Sequence, residues 1–534
     1  MIGSLARRGG NLPAVAALWL VLVVATLAGR PALPVDETRV LSVAWEMWSR
    51  QDFLVPYLNG APYPHKPPLL PWLIALGWKL AGVNDIWPRL VAPLFALGSL
   101  WLTRRLAQQL WPEHREAAGL APLFLLGTLF WATFSTGTLY DMLLTFFALA
   151  GGLGLVHAWQ RGLAAGFAVF GIALGLGLLS KGPVIMLHLG IPAVLAPLWA
   201  TGHRPNWARW YLGVAGALAL GLVIAGCWAI PAARSGGEAY AQAILWSQTA
   251  DRMTSSFAHQ QPFWWYLPLL PLLLFPWIAW PALWRALRRM LNAPLDPGSR
   301  LTLLWSGAGL LAFSAISGKQ PHYLLPLFPA LALLAARAAC ALPALHPRDV
   351  WPPAFGIALL GASLLAIRYA GPRIGLPDWS AQLPLETGIA VAGSGIALIL
   401  IKFDSVRLEA FKLAAGAALV VAVCQAGASQ SLWNAYDLRP VGAWLKGLEA
   451  RGVPLAHVGP YHGQYHYLGR LTGSLQVMPT EQLADWFARH PDGRAIVYTE
   501  PGDPVLTRAE FSQRFRSRAL AIIDLPVYRT LTAQ

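Results

Sequence analysis

Asp36-Glu37 opens a polar run directly after the first apolar span, and Leu58-Asn59-Gly60-Ala61-Pro62-Tyr63-Pro64-His65-Lys66-Pro67-Pro68-Leu69 closes it. Two acids and a cation are thereby kept beside a membrane, in a chain that spends few charges elsewhere. Only 12% of its 534 residues are Asp, Glu, Lys or Arg and 56% are hydrophobic, against roughly 25% charged residues in soluble domains. Charge retained in such a setting points to chemistry.

Outward from that run, apolar stretches near the ~20 residues needed to cross a bilayer recur over about four-fifths of the chain. About thirteen spans are expected, centred near 12–29, 87–102, 119–136, 141–158, 163–180, 183–200, 211–231, 263–284, 301–316, 323–342, 352–369, 387–402 and 410–428. The first reads as a retained anchor, because Gly29-Arg30-Pro31 makes a poor cleavage site. Orientation follows from Lys and Arg. With Arg7 and Arg8 cytoplasmic, alternate loops on that side hold Arg104, Arg105 and Arg115, then Arg161, then Arg204 and Arg209, then Arg285, Arg288, Arg289 and Arg300, then Arg348, and finally Lys402, Arg407 and Lys412. Much of the formal net charge of +15 thus sits in loops that would face anionic inner-leaflet lipids. No nucleic-acid-binding motif accompanies it.

Residues 1–428 read as the membrane domain, with outer loops 31–86 and 232–262. Residues 429–534 are more polar and read as a small soluble α/β domain. Within it Leu455–Val458 and Ala495–Thr499 are expected as strands and Thr480–Arg489 as an amphipathic helix. His462 and His466 read as surface residues. Cys227, Cys340 and Cys424 lie in or beside apolar spans and suggest neither a disulfide framework nor a thiolate metal site.

This topology places the unusual polar groups on one side. Asp36, Glu37, His65 and Lys66 fall in the first outer loop, and Tyr140-Asp141 at the outer start of the fourth span. Ser180-Lys181-Gly182-Pro183 joins the fifth and sixth spans, Asp251, Arg252 and His259 precede the eighth, and Ser317 to Tyr323 joins the ninth and tenth. Bland readings exist for each: Asp141 as a helix cap, Lys181 snorkelling to the interface, Glu37 as a partner of Arg39, Tyr323 as aromatic-belt material.

These segments together resemble a known family. The acidic pair and Leu58-Asn59-Gly60 through Lys66-Pro67-Pro68, then Asp141, then Lys181-Gly182-Pro183, then Arg252, His259 and the Pro262-Phe263 run, then Lys319 with Tyr323-Leu324-Leu325-Pro326, are similar to motifs of the polyprenyl-phosphate-sugar-dependent glycosyltransferases with the GT-C fold. The lipid A aminoarabinose transferases and the protein O-mannosyltransferases belong to that superfamily. Tyr467-Leu468-Gly469-Arg470 resembles a tail motif of the same proteins.

The resemblance implies a multi-pass enzyme of a bacterial inner membrane, with its active site and C-terminal domain facing the periplasm. It would move one sugar from a polyprenyl-phosphate donor to a lipid, glycan or protein acceptor. Departure of a lipid phosphate builds negative charge on oxygen, which preplaced cations stabilise. Lys66, Lys181, Arg252, Lys319 and the Tyr323 hydroxyl are the candidate phosphate cradle. Asp36, then Asp141, and beside them Glu37, are the candidate carboxylates for steadying the sugar cation or taking a proton from a hydroxyl acceptor. Close relatives carry a glutamate where this chain has His65, a position linked there to a divalent metal. His65 and His259 are therefore the candidate ligands, should a metal bind at all. The rival readings are a protein O-mannosyltransferase-like activity and a transporter or flippase of lipid-linked sugars.

Overall fold

The computed structural model describes residues 12–202, 205–244, 260–342, 344–427, 431 and 433–532. Among them, eight helices are long and apolar enough to cross a membrane: Leu12–Gly29, Ile86–Leu110, Asp141–Gln160, Ala164–Lys181, Trp207–Ser235, Pro321–Ala339, Trp351–Ile374 and Val406–Gly427. Five of the expected spans differ, and proline explains three of them. Residues 263–284 carry Pro268, Pro271, Pro276 and Pro281 and form short 3-10 and α turns, since each proline removes a backbone donor and crowds the preceding turn. The 183–200 stretch holds Pro192 and breaks into Ile185–Val194 and Ala196–Trp199. In the 119–136 stretch, Arg115–Leu126 contains Pro122, ends at Gly127, and is followed by the short helix Leu129–Phe134. Pro297–Ala315 and Leu385–Leu400 are continuous helices outside the eight. Lys412, expected as a loop cation, is buried inside a helix, paired with Glu409 at 2.8 Å and donating to the carbonyls of Leu398 and Ile401.

The first loop is itself folded. Asp36–Arg50 is an amphipathic helix whose Val40, Leu41, Val43, Ala44 and Met47 are buried. Its first turn carries both acids, where the helix dipole favours negative charge, and Gln51 closes it in the left-handed conformation. Beyond it, Tyr57–Leu58 pairs antiparallel with Ala61–Pro62. The turn between them is Asn59-Gly60 with φ of 55° and 79°, the pairing that a two-residue hairpin favours. Glu46 accepts from both turn amides, at 2.5 Å from Asn59 and 2.8 Å from Gly60.

The C-terminal residues build a five-stranded sheet in the order Gln476–Met478, Leu455–Val458, Arg494–Thr499, Arg518–Ile523, Phe511–Phe515. The first three strands are parallel and the last two antiparallel to their neighbours. Strand alternation sends Ile496, Leu520 and Ile522 towards Val441, Leu445 and Leu448 of the Arg439–Ala450 helix. It sends Ala495, Ala521 and Ile523 towards Trp486 and Phe487 of Leu483–Arg489.

This sheet unit grips the first loop. Ser42 Oγ donates to Gly463 O at 2.6 Å, Trp45 to Leu471 O at 2.7 Å, and the Asn59 amide exchanges bonds with the Leu475 backbone at 2.9 and 2.8 Å. A Cβ at Gly60 would lie 2.2 Å from Ser474 Oγ, so the positive φ and the contact both require glycine there. His466 is buried in this seam, contrary to the surface expectation. Its ring bonds Tyr461 Oη and Gly473 O, and burial lowers its pKa, so it stands neutral 3.9 Å from Glu46. His462 is exposed as expected.

Candidate active site

Two helices create the central pair. Asp141–Gln160 and Leu163–Lys181 run antiparallel and pack closely through glycine, since a Cβ at Gly154 would come within 2.8 Å of Gly166 O. The start of one therefore lies beside the end of the other. Asp141 sits at an N-terminus and Lys181 at a C-terminus, where the helix dipoles favour each charge. Lys181 Nζ reaches Asp141 Oδ1 at 2.5 Å, with the two side chains only 8% and 5% exposed. A buried pair of this kind is costly to break from one side only.

Around it the other polar groups collect. Lys181 Nζ lies 4.8 Å from the centre of the Tyr323 ring, within cation–π range. Tyr323 meets His322 edge-on at 4.8 Å, and His322 stacks on Phe134 at 5.8 Å. His322 feels the charges of Asp141, Lys181, Asp36 and Lys66 together, so four separated segments meet within electrostatic reach of one ring. Lys66 Nζ lies 5.8 Å from the Tyr140 ring centre, and its charge acts on Asp141 as well.

The two acids of the opening motif diverge. Asp36 is the exposed one and pairs with Arg39 at 2.5 Å, one helical turn on. Glu37 points inward and forms a clamp. Arg30 holds both its oxygens, one at 2.9 Å, while the amides of Leu33 and Thr138 donate to it at 2.7 Å each. Burial alone would push this carboxyl up, but the Arg30 charge and these hydrogen bonds outweigh it and hold the pKa below the ordinary value. The pairing partner is Arg30 rather than Arg39. Glu37 thereby ties the first-loop helix to the 136–138 turn that leads into Asp141.

Lys319 occupies the neighbouring loop. Its ammonium is buried and donates to Gln261 O at 2.8 Å and Ile316 O at 2.5 Å. No carboxylate forms an ion pair with it among the described residues. Tyr266 Oη donates to the next carbonyl, Gln320 O, at 3.1 Å, which fixes this loop against the proline-rich turns.

Arg252 and His259 lie outside the described residues. His65 is exposed and meets Tyr63 edge-on at 5.1 Å. No group of three or more His, Cys, Asp or Glu among the described residues could hold a metal ion. The donors around His65 therefore do not make a metal site by themselves.

Sequence reasoning missed two residues. His322 stood inside the quoted Ser317–Tyr323 segment without a role. His188 is fully buried against Phe313, at 5.1 Å between rings, within electrostatic reach of Lys181 and Asp141, and neither ring nitrogen has a hydrogen-bond partner among the described residues. A lone histidine in the apolar run 183–200 gives no signal of this.

Residues 65–228 match the family model of the dolichyl-phosphate-mannose-protein mannosyltransferases. An undecaprenyl phosphate-alpha-4-amino-4-deoxy-L-arabinose arabinosyl transferase of Edwardsiella ictaluri is 31% identical over 327 residues, covering 60% of this chain and 58% of that protein. A transferase of the same name from Pseudomonas fluorescens is 28% identical over 337 residues, 61% of this chain and 59% of its own length. The chain thus aligns with somewhat under two thirds of each relative. Among solved structures, ArnT from Cupriavidus metallidurans bound to undecaprenyl phosphate superposes with a TM-score of 0.72 at 21% identity, over 96% of this chain and 98% of that one. The GT-C membrane fold expected from the motifs is the fold this chain has, and the resemblance to the aminoarabinose transferases holds in sequence and in fold.

Proposed function

We propose that this protein is a membrane glycosyltransferase that moves a single sugar from a polyprenyl-phosphate carrier to a lipid acceptor of the lipid A type. The observation that carries the reading is the buried Asp141–Lys181 pair with Tyr323 and His322 beside it, within electrostatic reach of Asp36 and Lys66. The names of the relatives support undecaprenyl phosphate as the carrier and 4-amino-4-deoxy-L-arabinose as the sugar to test first. The similar curated proteins are named as aminoarabinose transferases rather than protein mannosyltransferases, so a lipid acceptor is tested before a protein one.

In this reading the bond between the anomeric carbon and the carrier phosphate breaks, and the acceptor oxygen bonds to that carbon. Lys66, Lys181, Lys319 and the Tyr323 hydroxyl stabilise the departing phosphate. A buried cation acts strongly there because little water screens it. Asp36, exposed beside the cluster, receives the proton of a hydroxyl acceptor, or orients a phosphate acceptor that needs no base. Asp141 fixes Lys181, and Glu37 is a positioning residue that acts through the 136–138 turn. Charges at helix ends rather than at mid-helix favour an enzyme over a transporter, whose sites cluster near the bilayer midplane.

Asp36→Asn is expected to lower transfer by about 10²–10⁴-fold, the range for loss of a general base, with insertion and carrier binding intact. The assay is mass spectrometry of acceptor lipid after incubation with purified protein and undecaprenyl-phosphate aminoarabinose. Near-normal product would remove Asp36 from the reaction. We further propose that the site and residues 429–534, as a domain outside the membrane, face the periplasm. A cysteine placed at Asn59 should then react with an impermeant thiol reagent applied to whole spheroplasts, and one at Arg288 should not. The opposite pattern would invert the orientation.

A further inference from the structure

The far end of the bundle holds a second charged feature that sugar transfer does not use. The Ile86–Leu110 helix starts beside Asp85, which bonds Tyr467 and Arg470 of the C-terminal region, and its Arg89 donates to Arg30 O behind the Glu37 clamp. Its length, about 1.5 Å per residue, carries the chain to the opposite end of the bundle. There a cavity of ≈ 560 Å³ is lined by Arg104, Arg115, Arg407, Glu116, Trp111 and Gly119, among others. The size suits a small polar head group and falls within the range of ligand pockets.

Three arginines face a single carboxylate, a formal excess of two positive charges. They come from two stretches nearly three hundred residues apart in sequence, both expected on the same side from the alternation of spans. Two helix N-termini add to the field. Arg115 and Glu116 form the first turn of Arg115–Leu126, whose preceding His114 makes no side-chain cap. Arg407 lies in the first turn of Val406–Gly427. First-turn amides lack intrahelical acceptors and the dipole there is positive. Trp111 is a fixed wall, its indole donating to Asp296 at 2.7 Å.

We propose that this cavity is a binding site for a phosphate ester. Planar guanidinium groups match phosphate oxygens in pairs, and the positive dipole end of the Arg115–Leu126 helix adds a field of the same sign. Two sources share that chemistry, the head group of an anionic bilayer phospholipid and a small soluble phosphate. The site is separate from the sugar-transfer cluster and stands whether or not that reading does.

The test uses the full chain in a zwitterionic detergent, titrated with dioctanoyl phosphatidylglycerol, dioctanoyl phosphatidylcholine or inorganic phosphate, and read by native mass spectrometry. Saturable binding of phosphatidylglycerol well above phosphatidylcholine is expected, weakened at least tenfold in Arg104→Gln/Arg407→Gln. Binding of inorganic phosphate with the same loss in the variant would support the site with a soluble ligand. Glu116→Gln, at an exposed position, is expected to tighten binding, and it carries the test should the double variant fail to fold. Arg288→Gln, on the same face but outside the cavity, should leave binding unchanged. No saturable binding of either anion, an equal loss in Arg288→Gln, or no gain in Glu116→Gln would overturn the proposal.

Discussion

Asp141→Asn is expected to abolish sugar transfer and to destabilise the protein by about 3–5 kcal/mol, the usual result of leaving one member of a buried ion pair unpaired. Lys181→Met should behave alike, because the remaining carboxylate is equally enclosed. The informative protein is the double variant Asp141→Asn/Lys181→Met. With both charges gone, most of the lost stability should return, since apolar replacement of a whole buried pair is often neutral or better. Transfer should not return, because the cation held over Tyr323 is also gone. Thermal unfolding in detergent and product formation from lipid-linked sugar measure the two effects separately. A double variant that is both stable and active would make the pair purely architectural.

Lys319→Met gives the contrasting outcome. Here a buried cation is removed that pairs with no carboxylate among the described residues and donates only to two carbonyls. Loss of those bonds is offset by relief of its desolvation, so the fold should survive nearly unchanged. Affinity for undecaprenyl phosphate should fall by about ten- to hundredfold, the equivalent of the roughly 1.5–3 kcal/mol expected of a hydrogen bond to a charged group. Titration of the carrier lipid against intrinsic tryptophan fluorescence reads this directly. Unchanged affinity would take Lys319 out of the phosphate cradle.

Much of the site was legible because helix ends announce themselves. Asp141 and Lys181 each stand where an apolar run meets a polar residue, and two antiparallel neighbours then have only one way to place them. Glu37 was legible as unusual but not in its role. Its partner Arg30 lies in a segment that reads as a plain linker, and the amide of Thr138 contributes no side chain to recognise. The Leu58-Asn59-Gly60 motif was visible, yet its reason lies in Glu46 and in Leu475, contacts that leave no periodic trace in sequence. The broken region 263–284 shows the limit of apolar composition as a guide: the residues are hydrophobic enough to span, but four prolines deny them a continuous helix.

The grip of Gly463, Leu471 and Leu475 on Ser42, Trp45 and Asn59 joins partners 421, 426 and 416 positions apart. A ribosome makes the earlier partners first, so the segment bearing Asp36 and Lys66 must wait, incompletely braced, until nearly the whole polypeptide has been synthesised. Assembly of the candidate site is therefore among the last events in the birth of this molecule, and a product terminated before Gly463 would hold the proposed reacting groups without the framework that braces the first loop.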